Sequence, residues 1–73
     1  MIEELDHEKY EFLIASDVVR DGLGVEVYLQ MGRTLLCEIF RSDAEQRTFF
    51  TAYEEKIPFA VIERIFEIAR ARL

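Results

Sequence analysis

The 73-residue chain has almost none of the residues that hold very small proteins together by covalent or metal bonds. Cys37 is its only cysteine, which excludes a disulfide within the chain, and His7 is its only histidine, so no His/Cys cluster can bind a structural zinc ion. A domain of this size buries only about 60% of the surface that its unfolded chain exposes. Its stability must therefore come from close packing or from self-association.

Basic residues and long apolar runs are also scarce. Nine Lys and Arg residues stand against fifteen Asp and Glu residues, a net charge of −6. Nucleic-acid binding needs clustered basic residues that neutralise phosphates, so neither nucleic acid nor an anionic membrane is expected as a partner. No run approaches the roughly 20 apolar residues that span a bilayer, and the acidic start 1–6 is unlike a signal peptide. We expect a cytoplasmic location, with Cys37 a reduced thiol.

Glycine and proline are few as well, with three and one respectively, while apolar residues make up 51% of the chain and charged residues 33%. This is the composition of a globular protein rather than of a disordered one. We expect one small domain over residues 1–73. Within it, residues 1–9 carry four acidic side chains and are expected to form a loose acidic arm.

Alternating apolar residues, separated by turn residues, predict four β-strands. The predicted strands are residues 10–20, 25–30, 34–41 and 47–53, and the predicted turns are 21–24, 31–33 and 42–46. Glycine is expected to supply the positive φ of the first turn. Residues 10–20 remain open to a second interpretation, because Phe12 and Leu13 could share one side of an N-terminal helix with Ile2 and Leu5.

A helix is predicted after Pro58, which suits a first helical turn. The main apolar stripe contains Phe59, Ile62, Phe66, Ala69 and Leu73, and a second stripe beside it contains Val61, Ile65 and Ile68. The predicted fold class is α+β, a four-stranded antiparallel β-meander with one C-terminal helix packed on one face. The alternative has an N-terminal helix, a three-stranded sheet and the C-terminal helix.

Apolar pairing predicts the register of the central hairpin. A three-residue loop at 31–33 aligns three apolar pairs on one face, and a slip of one residue would mix the two faces. The pairs are Val25 with Ile39, Val27 with Cys37 and Leu29 with Leu35. The next strand is expected to add Phe49, Thr51 and Tyr53 to this face. We expect the helix to cover it through Ile62, Phe66 and Ala69.

The same register leaves large apolar side chains on the other face of the sheet. They are Tyr28, Leu36, Phe40 and Phe50, and on the helix Val61 and Ile68 flank the main stripe. Exposed apolar patches of this kind usually mark interfaces. These six residues are therefore the candidate interface, unless the N-terminal segment of the chain itself covers the sheet face.

Chemically reactive residues do not form a recognisable site. Glu26 and Glu38 are predicted cross-strand neighbours, which would suit a pair of catalytic carboxylates, but Arg20, Arg41 or Arg47 could equally neutralise them. His7 stands alone, and Cys37 is expected to be a small buried apolar group. We therefore assign no catalytic, cofactor-binding or metal-binding residues and expect a protein that is not an enzyme.

Three functional hypotheses follow from these patterns. The first is a non-enzymatic protein-interaction module that forms a homodimer or binds another protein, since apolar residues exceed what one thin core needs. The second is an acidic inhibitor or immunity-type protein that binds a basic target by charge complementarity. The third, and least supported, is a small enzyme subunit that uses Glu26 and Glu38.

Overall fold

The structure is a computed structural model that describes residues 1–73, and it contains one antiparallel sheet with one helix packed against it. The five strands lie side by side in chain order, so the sheet is a simple meander. This confirms the predicted fold class, with one strand more than expected. The elements are β1 (Ile2–Leu5), β2 (Glu8–Asp17), β3 (Gly22–Leu29), β4 (Thr34–Ser42), β5 (Arg47–Ala52) and α1 (Phe59–Arg72).

The extra strand comes from the N-terminal segment, where the prediction of a loose acidic arm is wrong. Residues Asp6 and His7 form a two-residue turn with φ values of 52° and 66°, a geometry that matches the twist of the strands it joins. The Met1 amine donates a hydrogen bond to the Phe12 carbonyl oxygen at 3.1 Å. The arm is therefore an edge strand. The sequence signal for this hairpin is weak, because Asp6 is followed by His7 rather than by the glycine that usually completes such a turn.

The turn between β2 and β3 lies earlier in the chain than predicted. Strand β2 ends at Asp17, whose Oδ1 accepts hydrogen bonds from the backbone N–H groups of Val19 and Arg20, each at 3.0 Å. Asp21, with φ of 57°, supplies the left-handed conformation that we had assigned to glycine. Val18 is thus an exposed turn residue rather than part of a strand. Asp17 therefore holds the turn by accepting its backbone hydrogen bonds, and Asp21 takes the place of glycine.

The two glycines of this segment serve packing instead. Gly22 begins β3 and Gly24 lies within it, and the ring of Phe40 lies close over both positions. A Cβ atom added to Gly22 would collide with the Arg41 carbonyl oxygen and lie 2.6 Å from the ring of Phe40. Glycine in a strand often marks such a close approach.

The predicted register of the central hairpin is correct at one end and wrong at the other. Val25 pairs with Ile39 and Val27 with Cys37, as expected, but a β-bulge follows and the register shifts by one residue. The loop is four residues long, from 30 to 33, rather than three. Leu36 is the extra residue of the bulge and is buried in the core, not on the opposite face as predicted.

The helix packs mainly through its second apolar stripe, which corrects the predicted contact in part, since Ile62 and Ala69 of the main stripe also pack, partly buried, against the core. Val61, Ile65 and Ile68 are the buried residues of α1, so Val61 and Ile68 belong to the core and offer no free surface. Phe66 is instead 43% exposed. The two stripes are neighbours on the helix, and the sequence pattern does not fix the rotation of a helix about its axis. The other core residues are Tyr10, Phe12, Val25, Val27, Leu36, Cys37 and Ile39.

The faces of β5 are also exchanged relative to the prediction. Phe50 pairs with Ile39 and therefore lies on the helix face, while Phe49 pairs with Phe40 on the other side. The rings of Phe50 and Phe66 meet edge to face with 5.9 Å between their centroids. Because both faces of β5 carry a phenylalanine, alternation alone could not decide which one faces the helix.

Candidate interaction surface

The predicted four-residue patch does not exist as one surface. We call the sheet face that turns away from α1 the open face. Tyr28 and Phe40 lie on it, whereas Leu36 and Phe50 lie on the helix face. Phe40 is buried even though no element of secondary structure covers the open face. A single charged side chain explains this burial.

Arg20 reaches from the β2–β3 turn across the open face and covers its centre. Its guanidinium donates hydrogen bonds to both carboxylate oxygens of Glu38, at 2.9 and 2.7 Å, and lies 3.9 Å from the centroid of the Phe40 ring. The Nε atom bonds Asp17 at 2.6 Å. Arg20 thereby neutralises Glu38, and it is one of the three arginines that the sequence suggested for this role. The bidentate geometry is the strong form of this interaction.

The electrostatics of this group follow from the contacts. Hydrogen bonds from Arg20 lower the pKa of Asp17, and hydrogen bonds to Glu38 and Asp17 raise the pKa of Arg20. Burial, together with the Glu38 charge, raises the pKa of Tyr53. The neighbouring Glu26 accepts a hydrogen bond from the Tyr28 hydroxyl at 3.2 Å. Both carboxylate oxygens of Glu38 are thus engaged by the Arg20 guanidinium.

Other reactive groups are equally occupied or isolated. Cys37 is fully buried, and burial raises the pKa of its thiol to about 11, so little thiolate forms at neutral pH. His7 lies in the β1–β2 turn. No three His, Cys, Asp or Glu side chains lie close enough together to hold a metal ion. Helix α1 is not long and apolar enough to cross a membrane.

Lowered carboxylate pKa values give the fold a dependence on acid. Glu3, which accepts two hydrogen bonds from Arg64 at 2.7 and 2.8 Å, has a pKa below its usual 4.5, and Asp17 has one below 3.8. Such groups stabilise the fold above their usual pKa values and lose this contribution as pH falls through the lowered ones. We expect the urea midpoint to fall between pH 5 and pH 2. The urea midpoint of Arg64→Met should fall less steeply with pH than that of the wild type. An equal slope in the two proteins would contradict the Glu3–Arg64 pair.

The outer edge of β5 has no neighbouring strand. The Tyr53 N–H donates to the Leu36 carbonyl oxygen at 2.8 Å, so the backbone of residue 53 points toward β4. Backbone direction alternates along an antiparallel strand. Thr48, Phe50 and Ala52 therefore direct their N–H and C=O groups away from the sheet, where no strand follows.

The two edges of the sheet differ in how they are protected. Edge strands that avoid pairing are typically short or carry lysine, proline or a bulge. Strand β1 has four residues and contains Glu3 and Glu4. Strand β5 has six residues, pairs with β4 without a bulge, and carries Arg47 as its only charge. The β5 edge is therefore open to another strand.

An apolar groove runs beside this edge, between β5 and α1. It has a volume of about 310 Å³, and Phe50 and Phe66 are its two half-exposed aromatic residues, at 44% and 43%. The remaining lining residues are Ile39, Thr48, Phe49, Ala69 and Arg70. We call the outward backbone of Thr48, Phe50 and Ala52, together with the rings of Phe50 and Phe66, the β5 edge surface.

Comparison of this chain with protein-family models, curated proteins and solved structures found no match. Of the six residues predicted for an interface, only Phe50 contributes to the β5 edge surface. Phe66 was missed because it was assigned to the core. The signal for the edge itself was present in the sequence: the last strand of a meander has a neighbour on one side only, and its letters RTFFTA contain one charge.

Proposed function

We propose that this chain is a non-enzymatic protein-interaction module that binds an extended segment along the β5 edge surface. The observation that carries the proposal is the coincidence of unpaired backbone groups with a half-exposed aromatic pair. Strand addition draws affinity from main-chain hydrogen bonds and specificity from side-chain pockets. The edge supplies the first through Thr48, Phe50 and Ala52, and the Phe50/Phe66 groove supplies the second.

The groove defines the kind of segment that would bind. Side chains of an added strand alternate between the faces of the sheet, so every second residue would lie over the groove. Because Phe50 and Phe66 contribute two half-exposed rings to its wall, the matching side chains would be large and apolar. The opposite side chains would lie beside Phe49 and Arg47 on the open face, where polar residues are acceptable.

Selection from a library of random peptides tests this proposal. Peptides of about six residues, the length of β5, would be panned against the immobilised chain. We expect selected peptides to alternate large apolar with polar residues, and to lose binding to the Phe50→Lys variant. Ile2→Lys on β1, where Ile2 is similarly exposed at 53%, is the matched control and should retain binding. Failure to select any peptide, or equal binding to both variants, would contradict the proposal.

The alternative function, an acidic inhibitor of a basic target, is supported by the distribution of ion pairs. Six of the fifteen Asp and Glu residues form salt bridges, whereas four of the nine Lys and Arg residues do, so the unpaired charge is mainly negative. Binding of that kind would weaken steeply as salt increases. Binding along the β5 edge surface should respond little to salt, since it is mainly apolar and backbone contact.

A further inference from the structure

We infer that the segment bound by the β5 edge surface is the β5 strand of a second copy of this chain. This inference rests on the proposed function and names its partner. The two β5 strands would pair antiparallel about a two-fold axis at Phe50, joining two five-stranded sheets into one continuous sheet. An axis perpendicular to the sheet keeps both helices on the same side.

The backbone of β5 fits this register. With Phe50 opposite Phe50 of the second copy, Thr48 lies opposite Ala52 and Ala52 opposite Thr48. These are the three residues whose N–H and C=O groups point outward. Each outward group therefore meets an outward group of the other copy. A second β5 strand therefore supplies the hydrogen-bonding partners that the outward N–H and C=O groups of this edge lack.

The side chains on the helix face fit the same axis. Phe50 of each copy lies against its own Phe66, with ring centroids 5.9 Å apart. Pairing about position 50 would bring the two Phe50 side chains directly opposite one another. Four half-exposed rings, two from each copy, would then form one cluster across the junction. Aromatic cross-strand pairs are among the stabilising pairs of antiparallel sheets.

Charge at the ends of β5 favours an antiparallel second copy over a parallel one. Arg47 stands at the start of the strand, and Glu54 and Glu55 follow its end. The proposed register places Arg47 opposite Tyr53 of the other copy and beside its Glu54, so unlike charges meet at both ends. A parallel arrangement would bring Arg47 to Arg47. The junction is thus electrostatically complementary although each chain carries a net charge of −6.

Opposite charges placed at position 50 test this inference. We expect the wild type to sediment as a dimer at high concentration. Phe50→Lys and Phe50→Glu should each weaken dimerisation about 100-fold, since each variant loses both Phe50 rings from the cluster and places like charges opposite one another across the axis. An equimolar mixture of the two variants should recover a dimer. Ile2→Lys is the matched control and should behave as wild type. Phe50 is half-exposed, so circular dichroism should show all variants folded.

The outcomes separate this inference from the proposed function. A wild type that stays monomeric at every concentration, but still selects peptides at the β5 edge surface, overturns self-pairing and leaves the interaction module standing. A dimer that survives Phe50→Lys lies elsewhere on the chain and overturns the inference. A mixture that fails to recover the dimer overturns the register at position 50. Failure of peptide selection overturns the proposed function itself.

Discussion

Ile65→Ala is expected to lower the free energy of unfolding by about 2–5 kcal/mol, a large part of the stability of so small a domain. Ile65 is fully buried beneath the sheet, and Val61 and Ile68 on either side of it are buried as well. Removing its side chain would leave a cavity at the centre of the core, where neighbouring residues relax only partly. Urea denaturation of the two proteins measures the difference.

Phe66→Ala is the matched control for this prediction. Although phenylalanine is larger than isoleucine, Phe66 is 43% exposed and meets Phe50 at the margin of the core. We expect a loss of about 1–2 kcal/mol, smaller than that of Ile65→Ala, measured at a protein concentration low enough to avoid association. The opposite order, with Phe66→Ala the more harmful change, would mean that the helix packs through Phe66 and that the described contact is wrong.

Arg20→Met is expected to destabilise the chain by about 2–4 kcal/mol. The variant leaves the Glu38 carboxylate, whose side chain is 4% exposed, without the guanidinium that now binds both of its oxygens. Breaking a buried pair by removing one partner is much more harmful than replacing both. The loss in the free energy of unfolding should lie toward the low end of what breaking a buried ion pair usually costs, about 3–5 kcal/mol, since Arg20 is partly exposed and water can approach the site.

Two controls isolate the cause of this loss. Arg33→Met breaks a salt bridge to Glu11 in which the arginine is largely exposed, and we expect it to cost less than about 1 kcal/mol. The double variant Arg20→Met with Glu38→Met should be more stable than Arg20→Met alone, because no unpaired carboxylate remains. A single variant as stable as wild type would contradict the structural role assigned to Arg20.

The class of fold could be predicted from the sequence because it depends on patterns that are local. Alternation over 25–30 and 34–41, the following polar turn and the amphipathic segment after Pro58 give strand, strand and helix in the right order. Matching apolar residues also fixed the Val25–Ile39 and Val27–Cys37 pairs. These features are dictated by side-chain periods of two in strands and 3.6 in helices.

The sequence did not predict which residues face the core wherever it fits two arrangements almost equally well. Two apolar stripes lie side by side on α1, and two phenylalanines lie next to each other in β5, so one rotation and one register slip exchange core and surface. The bulge at Leu36 adds a third such choice, because it changes the face of one residue without changing the strand. Phe66 and Phe50 were misplaced for these reasons, and the candidate surface with them.

The Arg20 cluster illustrates a different limit. A sheet face with Glu38 beside Phe40 reads in sequence as a mixture of charge and apolar surface that needs a partner. In the structure, the long side chain of Arg20, which lies 18 residues before Glu38 in the sequence, pairs with Glu38 and covers Phe40. Contacts over such separations are not encoded in local periodicity. The centre of the face expected to bind a partner is therefore covered, and the neighbouring edge is left without a partner.

Amide hydrogen exchange along β5, followed by NMR at increasing protein concentration, tests the role of the β5 edge surface most directly. In dilute solution the amides of Thr48, Phe50 and Ala52 should exchange quickly, while those of Phe49 and Thr51, which face β4, are protected. As concentration rises, the three outward amides should become protected in wild type and remain fast in Phe50→Lys. Outward amides that exchange quickly at every concentration, and also with a selected peptide bound, would contradict the account.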